Sequence, residues 1–413
     1  MADLIFGPFS VDLAATRVAR QGVHVRLRPQ AFHVLKALVL HSGQCVNYEQ
    51  MIAEAWDGVS VSKHTVDVTV GEVRRSLGEY GSWISHRRKQ GYCLEVPTSE
   101  DLIRKGWHFW NQITREGFER AVSCFEQAAR EDDGYFRAYE GLAVSYLMLG
   151  TYGMRPPCEV YPKFLEAYGR AEALAGRTPE LRSHRAHGLH MFERRLEEAE
   201  AEFRQTLREK PTLGFTYINL TMLHATRGHL EDALKVLDEA QKVAPLLPVL
   251  PATEAFVRLC RREYDAAIVC GKKALELHPY VQLNRVFLAD ALEQSGRVDE
   301  ALTQWQRARL LSPDLPWLRA LEAACLVRSG RKKEAATILE ELEAIRASDY
   351  VDAYFMAVLL EALGQRAKAF QELERAVEEN SAALFTMDVD PKLDPFRHDP
   401  RFSTLRDRAF SLH

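Results

Sequence analysis

The 413-residue chain has no apolar run approaching the ~18 residues that a membrane-crossing helix needs. Its start, Met1-Ala-Asp-Leu-Ile5, lacks the charged and apolar regions of a secretion signal. Cysteine is sparse, with 7 residues and no Cys-x-x-Cys pair, which argues against a zinc cluster or a disulfide framework and for reduced thiols. Also missing are Gly-x-x-x-x-Gly-Lys, Gly-x-Gly-x-x-Gly, His-Glu-x-x-His and Gly-x-Ser-x-Gly. These absences lead us to expect a cytoplasmic chain that does not sit in a membrane, is not an enzyme, and has no cofactor or metal. His184, His187 and His190 are spaced by three, but no acidic or thiol ligand stands near to complete a metal set.

With 46% hydrophobic and 27% charged residues, the composition is that of an ordinary globular chain long enough for two or three domains. The formal charge of −4 is unevenly spread: residues 1–97 hold 11 Lys/Arg against 9 Asp/Glu, leaving −6 for the remainder. A mildly basic head on an acidic body suits nucleic acid at one end only.

Within that head, Val66, Val70, Val73 and Leu77 recur at the period of one buried helix face, with Ser62 as N-cap and Gly78 as the stop. The opposite face carries Lys63, His64, Thr65, Val68, Thr69 and Glu72, with Arg74 and Arg75 near the end. Trp83 to Val96 then reads as two short strands around the basic tip Arg87-Arg88-Lys89. A polar helix face beside a basic hairpin suits a duplex, with the helix in the major groove and the hairpin on backbone or minor groove.

The stretch His64-Thr-Val-Asp-Val-Thr-Val70, with Val73, Arg74, Leu77, Ile84, Arg88, Gly91 and Tyr92, resembles the OmpR/PhoB-type winged helix-turn-helix family. The resemblance implies that Thr65, Val68 and Thr69 face bases, Arg74 holds phosphate and Arg88 probes the minor groove. Gly71 and Glu72 stand where that family carries arginines, a loss of positive charge that His86, Arg87 and Lys89 partly offset. Around this core the family scaffold is expected. It comprises short strands over 4–27 with a turn at Gln21-Gly22, a helix from Pro29 to about Ser42, and a second helix opened by the capping pair Asn47 and Gln50. No receiver-like segment stands ahead of it, so aspartyl phosphorylation is not the expected switch.

Beyond Pro97 the pattern changes to a repeat. Ala199, Ala233, Ala267, Ala301, Ala335 and Ala369 are 34 residues apart, and Pro211, Pro245, Pro279 and Pro313 keep the same step. This is the tetratricopeptide (TPR) period, in which a small residue lets two antiparallel helices approach and a proline ends the second. The expected organisation is a winged-helix domain over 1–97, a linker over 98–101, about eight repeats over 102–383 with an insertion near 151–162, and a C-terminal capping segment over 384–413. The insertion reads as a long loop. The predicted fold class is therefore multidomain, a small α/β winged helix-turn-helix domain followed by an all-α TPR solenoid. Such an architecture resembles bacterial regulators of the HilA/CadC type.

The inner groove of a solenoid is lined by the first helix of each unit. Phe215, Ile218, Met222, Phe256, Leu259, Trp317 and Tyr354 fall near groove positions and suit an apolar peptide or protein partner. The expected function is a bacterial transcriptional regulator, with double-stranded DNA on the winged helix, a protein or peptide partner in the groove, and a possible homodimer. Two alternatives stay open: a TPR scaffold whose winged helix no longer binds DNA, and an array that closes around a small molecule.

Overall fold

The computed structural model describes residues 4–6, 9–13, 15–20, 23–245 and 247–410. Gln21-Gly22 lies outside the described residues. The chain divides into two compact units, residues 1–105 with 124–135 and residues 106–123 with 136–413.

In the first unit, strands β1 (Leu4–Phe6), β2 (Phe9–Asp12), β3 (Arg17–Arg20) and β4 (Val23–Val25) form an antiparallel sheet in the order β1-β2-β3-β4. Phe9, Val11 and Val18 alternate inward and are at most 1% exposed, the period-two pattern of a half-buried sheet. They share one core with helices α1 (Pro29–Leu40), α2 (Tyr48–Ala55) and α3 (Lys63–Ser76). Pro29 opens α1 at a position where its missing N–H costs nothing. Asn47 and Gln50 form the reciprocal capping box at the start of α2, at 2.9 and 3.2 Å. A second antiparallel sheet joins β5 (Cys45–Val46), β7 (Gly91–Leu94) and β6 (Ile84–Arg87) in that spatial order, and β6 with β7 is the wing.

The thiol expectation is corrected here. Cys45 and Cys93 are directly opposed in the β5–β7 register and form a disulfide. They are 48 residues apart, so only the register of the sheet brings them together. The other five cysteines are free.

Along the rest of the chain, helices follow one another in antiparallel pairs, and the array is TPR-like. Within the second unit the described residues contain seven such pairs, from Phe136–Thr151 with Pro157–Ala175 to Ala353–Ala362 with Arg366–Glu378. The 34-residue alanines sit in the second helix of their pairs, and all six are 0% exposed. Phe203 and Trp305, four residues after two of them, are also fully buried, so the small residue admits the neighbouring helix and the large one fills the space behind it.

Residues 151–162 do not form the long loop expected of them. Thr151 ends the helix Phe136–Thr151, only Tyr152 to Pro156 link it to the next, and Pro157 to Pro162 begin a 19-residue helix, Pro157–Ala175. Pro157 occupies its first turn, where proline is pre-set for helix. No helix of the described residues is long and apolar enough to cross a membrane.

Within the second unit the array closes on itself. Arg115 forms paired bonds to the Asp349 carboxylate at 2.5 Å each, and the indole N–H of Trp317 donates to the Tyr152 carbonyl at 3.0 Å. The chain after the last pair does more than cap its end. The short 3-10 helix Ala382–Thr386 runs beside helices Phe136–Thr151 and Gly214–Thr226, on the inside of the array. The next, Pro391–Phe396, packs on Ala353–Ala362.

Candidate nucleic-acid face and cavity of the array

Helix α3 is fixed by its apolar stripe and by its cap: the Ser62 hydroxyl accepts from the Thr65 N–H at 3.1 Å. Val66, Val70 and Val73 are fully buried. Asp67 ties three elements together, because its carboxylate accepts from the hydroxyls of Tyr48 on α2 and Tyr92 on β7, both at 2.7 Å. Partial burial works against the Asp67 charge, yet the two phenol bonds outweigh it and hold the carboxyl below its usual range. The same carboxylate pushes the Tyr48 hydroxyl up, whereas burial leads and Asp67 adds to the rise at Tyr92.

A testable consequence is that Asp67→Ala, which removes both bonds to a charged acceptor, should cost about 1.5–3 kcal/mol. Amide exchange over Gly91–Leu94 should accelerate. Unaltered exchange there would show that the wing is held by something else.

The sequence-derived DNA residues separate into two groups. Lys63, His64, Thr65, Val68 and Arg75 are exposed on α3, and Arg87, Arg88 and Lys89 are exposed at the wing tip. Lys89 adopts a left-handed backbone, φ 66°, which turns the hairpin at its most basic point. Thr69, expected to face bases, is 6% exposed, and its hydroxyl donates to the Thr65 carbonyl at 2.8 Å. Three residues after Val66, it falls inside the buried stripe. Arg74, expected at phosphate, turns under the wing instead. Its guanidinium donates to the Ile84 carbonyl at 3.0 and 2.7 Å and lies 5.6 Å from the Tyr92 ring centroid. Arg87 is paired with Glu95.

Glu72 is not a free anion on this face. It forms a two-pronged pair with Arg28, a residue that sequence reasoning did not single out. The hydrogen bond to Arg28 holds the Glu72 carboxyl below its usual range and raises the Arg28 guanidinium. Arg28, Gln30, His64, Thr65, Val68 and Glu72 border one surface depression at the N-terminal half of α3. The missed signal was the Arg28-Pro29 step before α1: a helix entrance is a place where a neighbouring side chain can reach across to α3.

In the second unit, all seven groove residues named from the sequence, Phe215, Ile218, Met222, Phe256, Leu259, Trp317 and Tyr354, line a single cavity of about 710 Å³. Their settings differ. Phe256, Leu259, Trp317 and Tyr354 are buried, whereas Phe215 is 61% exposed.

The cavity also receives polar groups that were not expected in the groove. His184, His187 and His190 line it. Burial depresses the first two to about 4 and the third well below the usual range, so all three are neutral at pH 7. His187 Nε2 pairs with the Thr151 hydroxyl at 2.9 Å, and His190 Nε2 with that of Thr226 at 2.8 Å. At another part of the wall, Lys392 donates to Asp290 at 2.8 Å and lies 3.3 Å from Asp390. Asp390 also accepts from the Tyr354 hydroxyl at 2.7 Å. Burial raises Asp290 and Asp352 to about 6 each.

Comparison with known proteins bears on both units. Residues 22–94 match the family model "Transcriptional regulatory protein, C terminal". Over 95 residues the chain is 27% identical to the transcriptional activator CadC of Escherichia coli (strain K12), which covers 22% of this chain and 19% of CadC. Over 70 residues it is 41% identical to the transcriptional regulatory protein CutR of Streptomyces coelicolor, which covers 17% of this chain and 32% of CutR. The chain thus spans between a fifth and a third of the length of these curated relatives. Among solved structures, a human IFIT1 dimer with PPP-AAAA is similar in fold, with a TM-score of 0.54 at 15% identity over 93% of this chain and 90% of that one.

Proposed function

We propose, from an OmpR/PhoB-type transcriptional-regulator domain joined to a TPR-like array, that this chain is a bacterial, cytoplasmic regulator that binds duplex DNA and is controlled by what its array binds. The observation that carries the DNA reading is the exposed row Lys63, His64, Thr65 and Val68 on α3, in the same unit as the exposed Arg88-Lys89 wing tip. His64 and Thr65 supply donors and acceptors for base edges, and Val68, 48% exposed, suits a thymine methyl. Arg75, Arg88 and Lys89 supply the phosphate contacts. A homodimer on paired half-sites is compatible with this domain type.

In the array, the convergence of seven apolar groove side chains on one cavity supports binding of a controlling partner there. A protein or peptide partner would have to share that space with residues 382–396 of the chain itself. The relatives are transcriptional regulators, so no catalytic role is assigned.

Fluorescence anisotropy of the full chain against a pool of genomic duplexes across a salt series tests the DNA reading. Binding should be selective and salt-dependent, and Arg88→Ala should weaken it on all sequences and lower the log–log salt slope by about one. An unchanged slope would remove Arg88 from the interface.

The scaffold reading, in which the winged helix does not bind DNA, also has an observation in its favour. Arg28, Arg74 and Arg87 are all engaged within the domain, the first of them by Glu72 on α3. Absence of binding even at low salt would select it.

A further inference from the structure

We infer that the cavity of the array is a binding site for an uncharged, flat aromatic small molecule carrying a hydrogen-bond donor. The inference deepens the reading that the array binds a controlling partner, and it is independent of whether the winged helix binds DNA.

Size sets the class. About 710 Å³ lies within the ~300–1,000 Å³ range of small-molecule pockets. A partner helix needs a groove along several repeats, but here residues of this chain already hold that ground. Arg262 donates to the Val389 carbonyl and to Asp394, both at 2.7 Å, and Lys392 is locked between Asp290 and Asp390.

Wall chemistry sets the shape. Trp317 and Phe355 stack with centroids 5.0 Å apart and 24° between planes. Phe256 lies 5.4 Å from Phe287 and 6.2 Å from Phe385. Water against such walls finds few hydrogen-bond partners, whereas an aromatic ring gains both dispersion and area burial.

Charge on the wall sets the ligand's ionisation. Lys392 is matched by Asp290 and Asp390, Asp352 accepts from the Ser381 hydroxyl at 2.8 Å, and the three histidines are neutral. An anion would face these carboxylates with Lys392 already engaged. A cation would find no carboxylate free of an internal partner, so either charge would be desolvated without a full counter-ion. Unused hydrogen-bonding capacity remains: among the described residues, Asp290 Oδ1 accepts from nothing, and Trp110 Nε1 and His184 Nδ1 are unpaired. All three residues line the cavity. A donor on the ligand satisfies Asp290 Oδ1, whose residue is 4% exposed.

The test uses the full chain without DNA, so its outcome does not depend on the winged helix. The probe is N-phenyl-1-naphthylamine, an uncharged diarylamine with one N–H, titrated by fluorescence. Its sulfonated relative 8-anilino-1-naphthalenesulfonate serves as the charged comparator. Saturable one-to-one binding of the neutral probe is expected, with at least tenfold weaker binding of the sulfonate. Ile218→Trp, which adds bulk to the cavity wall, should weaken the neutral probe at least tenfold at an unchanged melting temperature. Met222→Trp, one turn along the same helix, provides the same obstruction should the first variant melt early. The proposal is overturned by non-saturable binding, by equal affinity for the two probes, or by full retention of binding in a folded tryptophan variant.

Discussion

Lys392→Met is expected to destabilise the array by about 3–5 kcal/mol, the usual consequence of removing one partner from a buried ion cluster. The lysine side chain is 9% exposed, Asp290 6% and Asp390 8%. Burial disfavours the ammonium, but the two carboxylates outweigh it and hold Lys392 charged. Without it, Asp290 and Asp390 are left within the same low-dielectric wall with no cation between them. The loss is of the surviving charges, not of the pair as such, because a fully apolar replacement is often close to neutral. Lys392→Met combined with Asp290→Asn should therefore recover part of the stability, although neither change restores a bond. Urea unfolding followed by circular dichroism measures this. A loss below about 1 kcal/mol for the single variant would mean that the cluster is relieved by solvent.

The same cluster shows where sequence reading stopped. The 34-residue alanines revealed the array because helix crossing demands a small side chain at each repeat, a local constraint that returns at every turn of the solenoid. Groove positions followed from the same register, and all seven named residues line the cavity. Asp290 stands one 34-residue step after Phe256 and so shares its groove position, but Lys392, 102 residues further on, lies beyond the last repeat and at no periodic position. Their meeting depends on the C-terminal segment entering the array, and a Pro/Asp-rich stretch reads equally well as an external cap.

On the winged helix the legible part was again the periodic one. Ser62, Val66, Val70 and Val73 sit as expected because the cap and the 3.6-residue period are properties of α3 alone. Thr69 was open to correction from the sequence, since i+3 from Val66 is a core position for any residue small enough to satisfy its hydroxyl on the preceding turn. Arg28–Glu72, Arg74–Ile84 and Cys45–Cys93 are set by how α1, the wing and β5 pack around α3. Each is a tertiary contact between residue types that read plausibly as surface in one dimension.

Acidification should destabilise the array, and His187 should account for a separable share of the loss. Burial holds His184 and His187 at about 4, and His190 also lies below its ordinary value of 6.5. As the pH falls through 6.5, the unfolded chain takes up protons on these groups while the folded chain does not. Stability is therefore lost by about 1.4 kcal/mol per pH unit for each histidine, until the folded pKa is reached. Asp290 and Asp352 work in the opposite sense. Raised to about 6 from 3.8, they protonate in the folded chain first, so they return stability as the pH falls from about 6 towards 3.8. The aspartates already begin to protonate as the unfolded histidines do, so the two sets partly cancel and the net loss is expected to run at a nearly constant slope between pH 6.5 and 5.5, shallower than the histidines alone would give. His187→Gln keeps a polar group opposite the Thr151 hydroxyl but removes the titration, so it should flatten the slope between pH 6 and 5 by about 1.4 kcal/mol per unit. Chemical unfolding of wild type and variant at half-unit pH steps decides it. Parallel curves would show that His187 is protonated in the folded array, and that the cavity wall is wetter than its aromatic lining implies.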